Sequence, residues 1–437
     1  MLYFLIAILI IYFLIPSKKI KFGIFRFKNY IVPLCIIIIL IFLVVFSEDV
    51  FDSAHNGLVL WVNNVVPSLF PFLICLEVLK RTNIINVIGR ILEPVIRPVF
   101  NIPGSGAFAV VMGMCSGYPV GAKFAASIRE ENQCSSVEGE RLLAFTNTSG
   151  PLFIVGAVGI GMFADSKIGF LLLITHFISA IIVGILFRFY GLKHSFNNVM
   201  SSHNESFQEK LLQKKLLQEK DEPTAEKNKS SDAIKLSQLG GFMGDAIRNS
   251  ISTLLLICGF IVFFCVLGTI LDKSGVTNTL SEIISNLFIG LGFSIEVAND
   301  LATSCFKGIL EITSGLKLMA NISLDYKVLL PLVALILGFG GISVHMQVAS
   351  IISNTNLSIK PYLIGKTLHG IFAGIITYLT LNYTNFLNLE AIETFSAITA
   401  NNVTSISGGG NVLIIALALL ILASLLVLLL RRNTYVK

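Results

Sequence analysis

Apolar runs of spanning length recur along the chain, separated by short basic or acidic stretches, and this alternation predicts helices that cross a membrane. One run breaks in its own middle. Gly104–Glu130, GSGAFAVVMGMCSGYPVGAKFAASIRE, is apolar enough to enter a bilayer, yet Gly117, Pro119 and Gly121 crowd around Tyr118 where a through-going helix would be continuous. It reads as two half-helices, roughly Gly106–Cys115 and Val120–Ile128, each about 15 Å long and so reaching half of a ~30 Å hydrocarbon core. A break at that depth leaves amides and carbonyls that lipid cannot satisfy, so the hairpin tip must face protein or an aqueous cavity. Ser105, Ser116, Ser127 and Lys123 make the segment more polar than an ordinary kinked span needs.

Three further apolar runs carry a polar interruption. Glu138–Phe163 is broken at Thr146-Asn147-Thr148-Ser149-Gly150-Pro151, Val297–Ala320 at Glu311-Ile312-Thr313-Ser314-Gly315, and Lys327–Ser353 at Gly338-Phe339-Gly340-Gly341-Ile342-Ser343. The plain spans are Leu2–Ile15, Ile31–Phe46, Gly57–Leu79, Lys167–Phe189, Ile247–Leu271, Pro361–Asn382 and Val412–Leu430. Thr82–Asn101 and Thr277–Leu291 have apolar positions at helical spacing on a polar background and read as interfacial helices.

The expectation is an all-α polytopic membrane protein with about nine spanning helices plus two re-entrant helical hairpins. Each half reads span, amphipathic helix, polar hairpin, broken span, span, and the two copies start on opposite sides of the membrane. That is an inverted-topology repeat, the architecture on which many secondary transporters build alternating access. Direct identity between the halves is slight, Ser116-Gly117 matching Ser314-Gly315. The divisions are residues 1–56 (two N-terminal spans), 57–193 (first repeat), 194–246 (charged linker), 247–382 (second repeat) and 383–437 (external loop, last span and basic tail).

Charge orients this arrangement. Lys18, Lys19, Lys21, Arg26 and Lys28 place the end of the first span in the cytoplasm, and the acidic loop Ser47–Asn56, with Glu48, Asp49 and Asp52, belongs outside. The 194–246 linker and the C-terminus are expected in the cytoplasm, and Tyr383–Asn411, which has no Lys or Arg, outside. The first apolar run has no basic residue before it and no small-residue cleavage site after it, so no cleaved signal peptide is expected.

At 437 residues, 54% hydrophobic and 13% charged, the chain has no large soluble domain to host separate chemistry. The net charge of +6 lies mainly in short loops beside apolar segments, which fits membrane orientation and not nucleic-acid binding. Cysteines 35, 75, 115, 134, 258, 265 and 305 lack metal-ligand spacing and read as buried small residues, Cys115 at the hairpin tip being the exception. Neither a Ser-His-Asp set, a phosphate-cradling loop nor a zinc cluster is legible, so no enzymatic activity, cofactor or metal is expected.

Where the four interruptions meet, a cavity would present Ser116, Gly117, Tyr118, Lys123, Asn147, Thr148, Ser149, Glu311, Thr313, Ser314, Ser343, His345 and Gln347. Half-helix N-termini and Lys123 favour an anion; Glu311 argues the other way and could carry a coupling proton or sodium ion. His345 reads as a core histidine satisfied by a neighbouring carbonyl as readily as a proton carrier or ligand taken together, while His176 and His369 lie in simpler spans and receive no role.

Two segments, MGMCSGYPVGAK (Met112–Lys123) and LLAFTNTSGP (Leu142–Pro151), closely resemble the YlbJ-type sporulation integral membrane proteins, which carry nucleoside-recognition Gate domains. The resemblance covers about Gly57 to Asn382. The Gate label alone is less specific, being shared with nucleoside carriers and the membrane part of ferrous-iron transporters. What the resemblance implies is a protein of endospore formers, made in the mother cell, placed in the outer forespore membrane and moving dipicolinate toward the spore. An aromatic dianion suits the anion-favouring features. Two other readings stand beside it: a nucleoside carrier using amides such as Asn147 and Gln347, and a scaffold recruiting sporulation factors through Ser201–Asp232.

Overall fold

The computed structural model describes residues 24–80, 84–191 and 236–383. The expected spans Leu2–Ile15 and Val412–Leu430, most of the charged linker and the external loop lie outside the described residues.

All regular elements among the described residues are helical. They run α1 (Ile24–Val45), α2 (Ser47–Leu60), α3 (Val66–Lys80), α4 (Ile84–Phe100), α5 (Ser105–Ser116), α6 (Val120–Glu130), α7 (Ser136–Thr146), a wide π-wound segment Leu152–Met162, and α8 (Ser166–Phe187). The second half follows as α9 (Leu236–Lys273), α10 (Val276–Gly290), α11 (Ile295–Leu310), α12 (Ile312–Met319), α13 (Tyr326–Phe339), α14 (Gly341–Ile351) and α15 (Ile359–Tyr383).

Among the described residues, four helices are long and apolar enough to cross a membrane, Ser166–Phe187, Gly241–Lys273, Tyr326–Asn354 and Ile359–Tyr383, or up to six if two sharply bent pairs count as one span each. Those pairs are Pro33–Val45 with Ser47–Asn63, bent by 98°, and Val87–Phe100 with Ser105–Ser116, bent by 81°. The broken span expected over 138–163 is two short helices. Two further expectations need correction. Ser47–Asn56 is not a loop but lies in α2, whose first turn holds Glu48 and Asp49 where carboxylates favour the helix N-terminus. The linker ends early, since Leu236–Ala246 already belong to α9.

The interrupted segments behave as their residues dictate. At Gly117 the backbone takes φ +88°, a conformation that L side chains rarely adopt, so α5 ends there and α6 restarts after Pro119. A capping box starts α7, with Ser135 accepting from the Glu138 amide and Glu138 accepting from the Ser135 amide. The next break, Asn147–Gly150, separates α7 from the π-wound segment. In the second half the chain breaks at Glu311 and again at Gly340 (φ +90°).

The same pairs of elements pack in both halves: α4 on α5 as α10 on α11, α5 on α6 as α11 on α12, α6 on α7 as α12 on α13, and α7 on α8 as α13 on α15. Across the halves, α6 touches α14 and α12 touches the π-wound segment. Each of two apolar cores is correspondingly mixed. One joins Leu301, Ile312, Leu332 and Phe339 to Ile154, Val158 and Leu171; the other joins Phe108, Phe124, Leu142 and Phe145 to Val348, Leu357 and Leu363. At the periphery, the indole of Trp61, between α2 and α3, donates to the Leu254 carbonyl of α9 at 3.0 Å.

Candidate functional site

The two hairpin tips and the two broken spans converge on one cavity of about 1280 Å³. Ser116, Gly117 and Tyr118 come from the first tip and Gly150 from the break beside it. The second tip gives Glu311, Thr313 and Ser314, and the second broken span Ser343 and Gln347. Charged residues, among them Asp49, Asp272, Lys273 and Lys307, line the cavity as well. Two ion pairs join them: Lys273 to Asp49 at 2.7 Å and Lys307 to Asp272 at 2.7 Å.

The first tip is held by backbone close approach. A side chain on Gly117 would meet the Gly150 amide nitrogen at 2.5 Å, and Thr148 Oγ1 donates to the Gly113 carbonyl at 3.3 Å. At the second tip Glu311 caps α12, accepting from the amides of Thr313 (3.0 Å) and Ser314 (2.8 Å) and from the Ser314 hydroxyl (2.8 Å). Its carboxylate thus already occupies the N-terminus expected to be open to a solute anion.

Behind this cavity lies a buried polar network. Lys366 is 1% exposed, and its ammonium donates to the Asn147 carbonyl and to His369 Nδ1, both at 3.2 Å. His369 Nε2 sits 2.9 Å from the His176 carbonyl, and His176 Nε2 accepts the Ser149 amide at 3.1 Å. Asn147 Nδ2 donates to the Tyr362 hydroxyl (3.2 Å), which lies 3.1 Å from His345 Nδ1. The break at Asn147 is thereby tied to α15 by two bonds, across 215 and 219 residues of sequence.

Contacts away from the cavity lining also join the two halves. Arg129 Nε donates to Asn356 Oδ1 at 2.8 Å, and Glu140 Oε1 accepts the Ser358 amide at 2.8 Å. The other Glu140 oxygen accepts the Tyr190 hydroxyl (2.8 Å); burial and this carboxylate push the phenol up to about 12.

A family model described as nucleoside recognition, Gate, matches residues 62–193. The sporulation integral membrane protein YlbJ of Bacillus subtilis (strain 168) is 37% identical over 337 residues, 75% of this chain and 77% of that protein. The chain belongs to the YlbJ family. It is, like that relative, an integral membrane protein, and several of its helices are apolar enough to span. No solved structure matches it.

In this YlbJ-family chain the structure gathers most of the residues singled out from sequence. Ser116, Gly117, Tyr118, Glu311, Thr313, Ser314, Ser343 and Gln347 line the cavity. Asn147, Thr148, Ser149 and His345 are buried and do not line it. Lys123 stands apart, its ammonium paired with Glu77 at 2.9 Å and donating to Thr253 at 2.8 Å. Cys115 lines the cavity and is exposed, as is Cys75, whereas Cys134 and Cys305 are buried; all seven thiols are free. Sequence reasoning missed Lys366 and Tyr362 and gave no role to His176 and His369. The available signal was Lys366 itself, an ionisable residue two turns inside an apolar run.

Proposed function

We propose that the protein is a carrier for a small anionic aromatic solute, that the solute is dipicolinate, and that the carrier works in the outer forespore membrane. The observation that carries this reading is the cavity at which two hairpin tips and two broken spans meet. Backbone interruptions at membrane depth are tolerated where they are buried in protein or line an aqueous cavity, and about 1280 Å³ is ample for a single-ring dicarboxylate. The sporulation label of the 37% identical relative and the motif segments around Tyr118 and Asn147 support the compartment and the solute.

The repeated packing pairs and the two mixed cores support an inverted-topology repeat of two units, 57–193 and 247–382. With the orientation given by Lys and Arg, the cavity opens away from the cytoplasm, and Arg129–Asn356 and Glu140–Ser358 seal the cytoplasmic side. The chain then carries no catalysis, and alternate opening of these two ends moves the solute.

A second reading, a nucleoside carrier, is favoured by the nucleoside-recognition family model over 62–193 and by the amide of Gln347 in the cavity. Uptake of labelled dipicolinate and labelled uridine into vesicles holding the purified protein separates the two. Dipicolinate is expected to accumulate and uridine not; uridine uptake alone would establish the second reading.

A further inference from the structure

Lys366 is a lysine buried with uncharged partners only. Its two hydrogen-bond acceptors, the Asn147 carbonyl and His369 Nδ1, are neutral, and among the described residues no carboxylate forms an ion pair with it. The other titratable groups around it are His369 and Tyr362 on its own helix, His176 from α8 and His345 from α14. A cation so placed calls for a negative partner, because burial without one is costly.

The histidines supply the rest of such a site. His369 Nε2 faces a carbonyl, which only accepts, so Nε2 bears the hydrogen and Nδ1 is free to accept from Lys366. His176 Nε2 accepts the Ser149 amide, which puts that ring's hydrogen on Nδ1. Tyr362 accepts from Asn147 and gives its own hydrogen to His345 Nδ1, leaving the His345 hydrogen on Nε2. His176 Nδ1 and His345 Nε2 are both buried, and neither has a partner among the described residues. Two imidazole N–H donors and one ammonium in this network are therefore, among the described residues, without a negatively charged acceptor. Unpaired polar atoms are rare in protein interiors, and a cluster of them marks a place where water, an ion or a ligand completes the bonding.

The cluster adjoins the cavity through the same chain breaks. Ser149 is followed by Gly150, and Ser343 precedes His345 by two residues; Gly150 and Ser343 line the cavity. The Ser116 hydroxyl, also on the cavity, is likewise without a partner among the described residues. The helices starting at Leu152 and Gly341 begin at these breaks, so their N-terminal amides favour negative charge there.

We propose that Lys366, with His176 and His345, forms the carboxylate-binding centre of the carrier, reached from the cavity when the two breaks separate. This rests on reading the protein as a carrier of an anionic solute. Of the other lysines, Lys273 and Lys307 on the cavity are paired with Asp49 and Asp272, Lys123 off the cavity is paired with Glu77, and Lys317 on the cavity is exposed.

The test is competition against labelled dipicolinate on full-length protein in lipid nanodiscs, with picolinate, benzoate, the neutral dimethyl ester of dipicolinate and uridine as competitors. Wild-type protein is expected to bind the carboxylates and not the ester. Lys366→Met keeps the side-chain length, removes the charge, and should weaken carboxylate binding roughly 10- to 150-fold, the range of one charge-assisted hydrogen bond. Because a buried substitution can disturb folding, His345→Phe serves as the second variant; it keeps a ring against Phe339, removes the Nε2 donor, and should weaken carboxylates by about tenfold. Melting profiles accompany both. Wild-type carboxylate affinity in either well-folded variant would overturn the site while leaving the carrier reading intact. Wild-type protein that binds no labelled dipicolinate, or releases it to uridine and not to picolinate or benzoate, would overturn both.

Discussion

Lys123 shows how a single side chain changes meaning once its neighbours are known. From sequence it is a positive charge at a hairpin tip; in the fold it is an ion-pair partner of Glu77, with side chains 24% and 11% exposed. Lys123→Met is therefore expected to lower stability by about 0.5–1 kcal/mol, read as a drop in melting temperature, with dipicolinate affinity falling less. A larger loss of affinity than of stability would return Lys123 to the solute path. Cys115 gives a second check at this scale, because it is exposed on the cavity. As the sole cysteine it should react with a membrane-impermeant thiol reagent added from the non-cytoplasmic side, and dipicolinate should slow the reaction. Reaction only from the cytoplasmic side would reverse the assigned direction of opening.

At the scale of elements, the first hairpin depends on a gap that only glycine leaves. Gly117→Leu places a side chain against the Gly150 amide at a backbone angle of φ +88°. The expected outcome is loss of at least nine-tenths of dipicolinate uptake at an unchanged protein level in the membrane; normal uptake would mean that tip and break need not touch. The breaks at Gly117, Asn147–Gly150, Glu311 and Gly340 were all legible in the sequence, because Gly, Pro and clustered hydroxyls inside an apolar run mark where helical hydrogen bonding stops. What supplies the missing bonds was not legible. Asn147 meets Tyr362 across 215 residues, and local pattern carries no information about such a partner. The helical state of Ser47–Asn56 escaped for a related reason: its charges read as a loop, whereas α2 is helical along α9 and joined to it by Lys273–Asp49 and Thr269–Ser53.

For the whole molecule, the prediction is that the two ends open in turn. Cysteines replacing Arg129 and Asn356 in a cysteine-free background, joined by a short bifunctional thiol reagent, should stop transport while leaving the cavity accessible from its open side. Continued transport in the joined protein would remove the cytoplasmic contact from the cycle. Deletion of Ser201–Asp232 addresses the scaffold alternative, since a carrier keeps its uptake without that segment and a scaffold loses its sporulation phenotype. The chain has one tryptophan, and the fold sets it where it can be used. Trp61 is hydrogen-bonded to Leu254, one turn before Ile257 in the cavity wall, and Leu60 beside it lines the same cavity. Its intrinsic fluorescence is thus an unlabelled optical gauge of the seam between α2 and α9: any motion that parts that seam changes the indole's surroundings and shifts its emission, so solute-driven rearrangement becomes readable in real time from the native protein.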